Sequence, residues 1–62
     1  MNANSLKQGD VILSPTLGVY LTVVENSGYK LTLEESLSLY IFKYGDKEDE
    51  DFCKELTGLS MS

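Results

Sequence analysis

A chain of 62 residues is too short for two domains, and a domain of that size buries only about 60% of the surface its unfolded chain exposes. Ten acidic residues against five lysines, with no arginine and no histidine, give a net charge of −5. The scattered Lys7, Lys30, Lys43, Lys47 and Lys54 offer neither the clustered basic surface nor the guanidinium forks that grip phosphate, so direct nucleic-acid binding is not expected.

Cys53 is the single cysteine, so neither a disulfide nor a paired-cysteine metal site can staple so small a core. Self-association or a bound partner is then the remaining source of extra stability. The first ten residues hold no apolar stretch followed by a small-residue cleavage pattern, so no secretory signal is expected, and residues 1–8 are assigned as a flexible N-terminus. Leu39 to Phe42, the longest apolar run, is far shorter than a bilayer is thick. With one unpaired thiol, the expectation is a cytoplasmic protein without membrane association.

Gly9 and Asp10 punctuate the start of a strand at Val11-Ile12-Leu13, and Ser14-Pro15-Thr16-Leu17-Gly18 carries the proline and glycine of a tight turn. Val19 to Val24 is rich in β-branched and aromatic residues, as a half-buried strand requires. Glu25-Asn26-Ser27-Gly28-Tyr29 then suits a three-residue hairpin loop with Gly28 in the left-handed position. Setting Glu25 against Tyr29 pairs Val23 with Leu31 and Leu21 with Leu33. That register gathers Val19, Leu21, Val23, Leu31 and Leu33 on one face and leaves Tyr20, Thr22, Val24, Lys30 and Thr32 on the other.

Two periodicities compete from Thr32 to Gly45. Thr32-Leu33-Glu34-Glu35 forms a capping box, Gly45 is placed to stop a helix, and Leu33, Leu37, Tyr40, Ile41 and Tyr44 share a helical face. Equally, Leu37, Leu39 and Ile41 alternate with Ser38, Tyr40 and Phe42 as in a strand. Capping, length and stop signal favour the helix. Asp46 can cap a second helix with an acidic first turn, closed by Gly58, and residues 60–62 are expected to fray. The predicted fold is therefore α+β, a three-stranded antiparallel β-meander followed by two short helices packed on one face. The alternative makes the fourth run a strand and keeps only the acidic tail helical. In that case the chain, whose Gly9-Asp10-Val11-Ile12 opening is similar to the first strand of many SH3-like barrels, is a small all-β barrel with a short C-terminal helix.

No catalytic set is legible. Cys53 has no histidine to form its thiolate, and Glu34 and Glu35 point about 100° apart on a helix rather than at a common substrate. Asp46, Glu48 and Glu50 alternate as in a calcium loop, but the positions requiring glycine and a bidentate glutamate hold Asp51 and Thr57. No cofactor is implied. What remains is surface: on the helical assignment Leu39 and Phe42 lie opposite the core face, as do Tyr20 and Val24 on the sheet. These four, with the carboxylates of Glu48, Asp49, Glu50 and Asp51, are the expected partner-binding residues. The expected function is that of a small acidic non-enzymatic protein, of a kind carried by viruses and mobile elements, that binds and modulates or inhibits a host or cellular protein. A homodimeric module built about a twofold axis is one alternative. The other is an acidic nucleic-acid mimic, with Glu34, Glu35 and the acidic run standing in for phosphates.

Overall fold

The computed structural model describes residues 2–62 as a four-stranded antiparallel sheet with one C-terminal helix. After a 3-10 turn at Ala3–Ser5 come β1 (Val11–Leu13), β2 (Tyr20–Asn26), β3 (Lys30–Glu35), β4 (Ser38–Lys43) and α1 (Lys47–Thr57). Each strand pairs with the next in sequence, which leaves β1 and β4 at the edges of the sheet.

The helix expected from Thr32 to Tyr44 does not form. Thr32 to Glu35 complete β3, Ser36 and Leu37 make a two-residue turn, and Ser38 to Lys43 return as β4, giving the four strands and single helix of the alternative assignment. The physical reason is burial of aromatic rings. A helix would aim Phe42 away from the core, whereas the pairings Leu31↔Phe42 and Leu33↔Tyr40 put both rings on the face that Leu31 and Leu33 occupy. Phe42 is 1% exposed, so it belongs to the core and not to the surface where the helical assignment placed it. Burying such a side chain stabilises by roughly 1.5–3 kcal/mol, more than the ~1 kcal/mol of a helix cap. Part of that gain is offset at Ser36, whose φ of 48° is a left-handed conformation costing a residue with a Cβ about 1–2 kcal/mol.

The β2–β3 hairpin keeps a three-residue loop with Gly28 left-handed at φ 93°, but the loop is Ser27 to Tyr29 instead of the expected Asn26 to Gly28, and the register differs with it. Asn26 faces Leu31, Glu25 faces Thr32 and, across a bulge at Val24, Val23 faces Leu33 instead of Leu31. Before the bulge the shift is two positions, which leaves Leu21, Val23, Leu31 and Leu33 on their original face; beyond it the shift is three, and Glu25 moves to the open side. Leu21, Val23, Leu31 and Leu33 are accordingly all buried. The longer pairing also brings Asn26 onto the core side. There its amide donates to the carbonyls of Ala3 (3.1 Å) and Leu6 (2.9 Å), while its Oδ1 accepts from the Tyr44 hydroxyl at 2.8 Å.

α1 covers this face. Asp46 caps it as the sequence suggested, accepting from the Asp49 N–H at 3.2 Å, and Gly58 closes it at φ 77°. Cys53 and Leu56 pack with the sheet leucines, and the Phe52 ring meets the Phe42 ring edge-on at 5.7 Å between centroids. The last carbonyls of a helix have no partner within it. Here the turn between β1 and β2 supplies two: the Ser14 hydroxyl donates to the Leu56 carbonyl at 2.7 Å, and the Thr16 hydroxyl donates to that of Glu55.

The stretches expected to be loose, 1–8 and 60–62, supply Ala3, Leu6 and Met61 to the core, while Met1 lies outside the described residues. Asn2 and Ser60 form a bridge, in which the Ala3 N–H donates to the Ser60 carbonyl at 2.8 Å. Apolar side chains at both ends close the margin of a core that four short strands cannot seal.

Burial also holds two weak acids in their protonated forms. The Cys53 thiol is pushed above its ordinary value of 9.0, and the Tyr44 hydroxyl above 10.0. The unfolded chain therefore gives up these protons at lower pH than the folded one. The stability they contribute is complete below about pH 9 and declines as pH rises beyond it. A melting temperature followed into the alkaline range is expected to fall past that point, and to fall less steeply in Cys53→Ala. Parallel slopes for the two proteins would contradict the assignment to Cys53.

Candidate functional site

Because side chains alternate along a strand, a sheet covered on one face leaves its other set of residues in solvent. The register arranges that set in rows. Leu13 lies beside Tyr20; Val11, Thr22, Glu34 and Leu39 cross the sheet in one line; Glu25, Thr32 and Ile41 form the next; Lys30 and Lys43 close the array. Val24 adds its side chain at the bulge. Val11, Leu13, Tyr20, Val24, Leu39 and Ile41 are between 38% and 68% exposed. At on the order of 100 Å² of exposed surface apiece, six such side chains make a patch near the largest that soluble monomers carry. Beyond it, Leu37 at the tip of the β3–β4 turn is fully exposed.

The ionic groups of this face balance, Glu25 and Glu34 against Lys30 and Lys43, with Lys30 Nζ 3.7 Å from Glu25 Oε1. The entire net charge of −5 therefore lies elsewhere. Most of the acidic run is engaged within the fold. Asp49 Oδ2 accepts from the Lys43 N–H at 2.8 Å, Glu50 Oε2 accepts from the Gly45 N–H at 2.7 Å, and Asp51 pairs with Lys47 at 3.1 Å. These carboxylates tie the end of β4 to the start of α1, and Glu48 stands exposed beside them.

The residues singled out from sequence thus separate. Tyr20, Val24 and Leu39 come together on the open face, Phe42 is inside, and Glu48, Asp49, Glu50 and Asp51 belong to the helix packed on the opposite side. Val11, Leu13 and Ile41 join the face without having been expected there. The alternation of Leu37, Leu39 and Ile41 was the signal for Ile41, and the helical periodicity hid it.

Cys53 is buried, and burial holds its thiol protonated, 3.7 Å from Thr57 Oγ1. Among the described residues no group of three His, Cys, Asp or Glu side chains converges as a metal site would require. A shallow depression of about 300 Å³ between α1 and the C-terminal segment is lined by Lys47, Glu50, Asp51 and Lys54, whose charges offset one another. Among the described residues no helix is long and apolar enough to cross a membrane. No family model, curated protein or solved structure matches the chain.

Proposed function

We propose that this chain is a non-catalytic binding module whose working surface is the open face of the sheet. The observation that carries it is the set of six large apolar side chains, Val11, Leu13, Tyr20, Val24, Leu39 and Ile41, gathered uncovered on one side of a domain too small to spare them. A flat apolar face with balanced charges suits a protein surface, since interfaces are apolar at the centre with ionic groups at the rim. Tyr20, large and half rigid, is its natural anchor. Mimicry of nucleic acid is less well supported, because Asp46, Asp49 and Glu50 spend their oxygens on backbone N–H groups rather than presenting them to a basic groove.

Affinity capture with the chain as bait tests this reading, comparing the natural sequence with Tyr20→Ser/Leu39→Ser. Both sites are exposed, so circular dichroism of the variant should match. The protein held by the natural chain is expected to drop at least tenfold in the variant. Equal recovery by the two baits would overturn the proposal.

A further inference from the structure

We infer that β4 pairs edge to edge with the β4 of a second copy of this chain, antiparallel about a twofold axis at Tyr40, joining two four-stranded sheets into one. The inference concerns the edge of the sheet and does not rest on the open face being a binding surface. The Tyr44 N–H donates to the Tyr29 carbonyl at 2.8 Å. The alternation of an antiparallel ladder therefore turns the N–H and C=O of Phe42, Tyr40 and Ser38 toward β3, and those of Lys43, Ile41 and Leu39 away from it. Asp49 Oδ2 accepts the Lys43 N–H at 2.8 Å, and the Asp46 N–H donates to the Lys43 carbonyl at 3.3 Å, which closes the edge at that end. Among the described residues no group bonds to the N–H and C=O of Leu39 and Ile41.

Edge strands are ordinarily blunted by brevity, proline, charge or a bulge. The other edge follows that rule: β1 is three residues long, and Pro15, two positions past Leu13, has no N–H to offer. β4 does not. It runs six residues in unbroken register with β3, and its free positions carry leucine and isoleucine, 59% and 54% exposed. Only an axis at Tyr40 engages both of them. Leu39 then faces Ile41 of the other copy and Ile41 faces its Leu39, whereas an axis at Ile41 sets Leu39 against the occupied Lys43, and one at Leu39 sets Ile41 against Leu37 in the turn.

The charges leave this seam clear. Across it Leu39 adjoins Ile41, and Lys43 adjoins the uncharged Leu37. The acidic start of α1, tied to Lys43 through Asp49, stands three residues from the axis in each copy, so the two acidic ends lie roughly 20 Å apart, beyond the Debye length of about 8 Å. The axis is perpendicular to the sheet, so both open faces point the same way. One face, four strands about 4.8 Å apart and some six residues long, measures roughly 19 by 20 Å, under half of the ~800 Å² that a standard interface takes from each partner; two side by side approach it.

Sedimentation equilibrium of the full chain is the test, with the folding of each variant verified by circular dichroism. The natural chain is expected to dimerise. Leu39→Lys/Ile41→Lys sets lysine against lysine across the seam, whereas Leu39→Lys/Ile41→Glu replaces the same two exposed side chains but sets lysine against glutamate. The first is expected to dimerise at least tenfold more weakly than the second, and Tyr20→Ser, on β2, to dimerise as the natural chain does. A natural chain that stays monomeric into the high micromolar range, equal dimerisation of the two double variants, or loss of the dimer in Tyr20→Ser would rule the pairing out. If that monomer still captures another protein and loses it on Tyr20→Ser/Leu39→Ser, only the edge pairing is excluded. If the dimer behaves as described and capture is insensitive to that substitution, the pairing stands and the binding face fails.

Discussion

Phe42→Ala is expected to leave the domain largely unfolded at 25 °C. Phe42 is the largest fully buried side chain; it faces Leu31 across β3, shares the cluster with Leu21, Leu33 and Leu56, and packs edge-on against Phe52. Truncating a buried phenylalanine costs about 3–5 kcal/mol. At roughly 0.05–0.15 kcal/mol per residue the whole domain holds on the order of 3–9 kcal/mol, so the loss takes most of what there is. Urea titration followed by circular dichroism would measure it, with Phe42→Leu as the control that keeps most of the volume and loses far less. A stable Phe42→Ala protein would contradict the strand assignment of Ser38–Lys43, because the competing helix leaves that ring in solvent.

Asn26→Ala is expected to lower stability by about 2–3 kcal/mol. Three hydrogen bonds end on this one side chain, two from its amide to the Ala3 and Leu6 carbonyls and one from the Tyr44 hydroxyl to its Oδ1. Losing them strands partly buried polar groups, each worth roughly 1 kcal/mol or somewhat more. For a domain of 60–100 residues, each kcal/mol moves the midpoint by about 4–8 °C, so a fall in Tm of about 10–20 °C should follow. The change has a location as well as a size. The 3-10 turn at Ala3–Ser5 is held to the sheet through this amide, so the Leu6 N–H, which donates to the Ala3 carbonyl, is expected to exchange with solvent much faster in the variant. Unchanged exchange there, with Tm preserved, would show that the amide does not hold the N-terminal segment.

The binding proposal stands on a different kind of feature from these two. Core and hub residues are identified by what they touch, whereas Tyr20, Leu39 and Ile41 stand out because nothing in the fold touches their outer surfaces. Substitutions on the open face should therefore separate association from stability, and those at Phe42 or Asn26 should not.

Much of this arrangement follows from sequence alone. Alternation placed Leu21, Val23, Leu31 and Leu33 on one face of a hairpin, and because a slip of two residues preserves faces, the core survived an error in register. Asp46 and Gly58 marked the ends of α1 because a cap and a left-handed closure are local events, decided by residues a few positions apart. The strand at Ser38–Lys43 was decided otherwise. Locally the segment carries a good helix cap and stop, and only the presence of Leu31 and Leu33 on a strand beside it, with Cys53 and Leu56 above, gives Phe42 a place to be buried. Tertiary burial outweighed local capping, and in doing so it turned Ile41 outward and Phe42 inward. The character of the surface was decided at the same level. Sequence determined that this chain is acidic, small and without a base for its one thiol. The fold determined that Asp46, Asp49 and Glu50 secure the start of α1 and that its open apolar face is electrically neutral, because only strand pairing sets Lys30 and Lys43 against Glu25 and Glu34 on one side of the sheet.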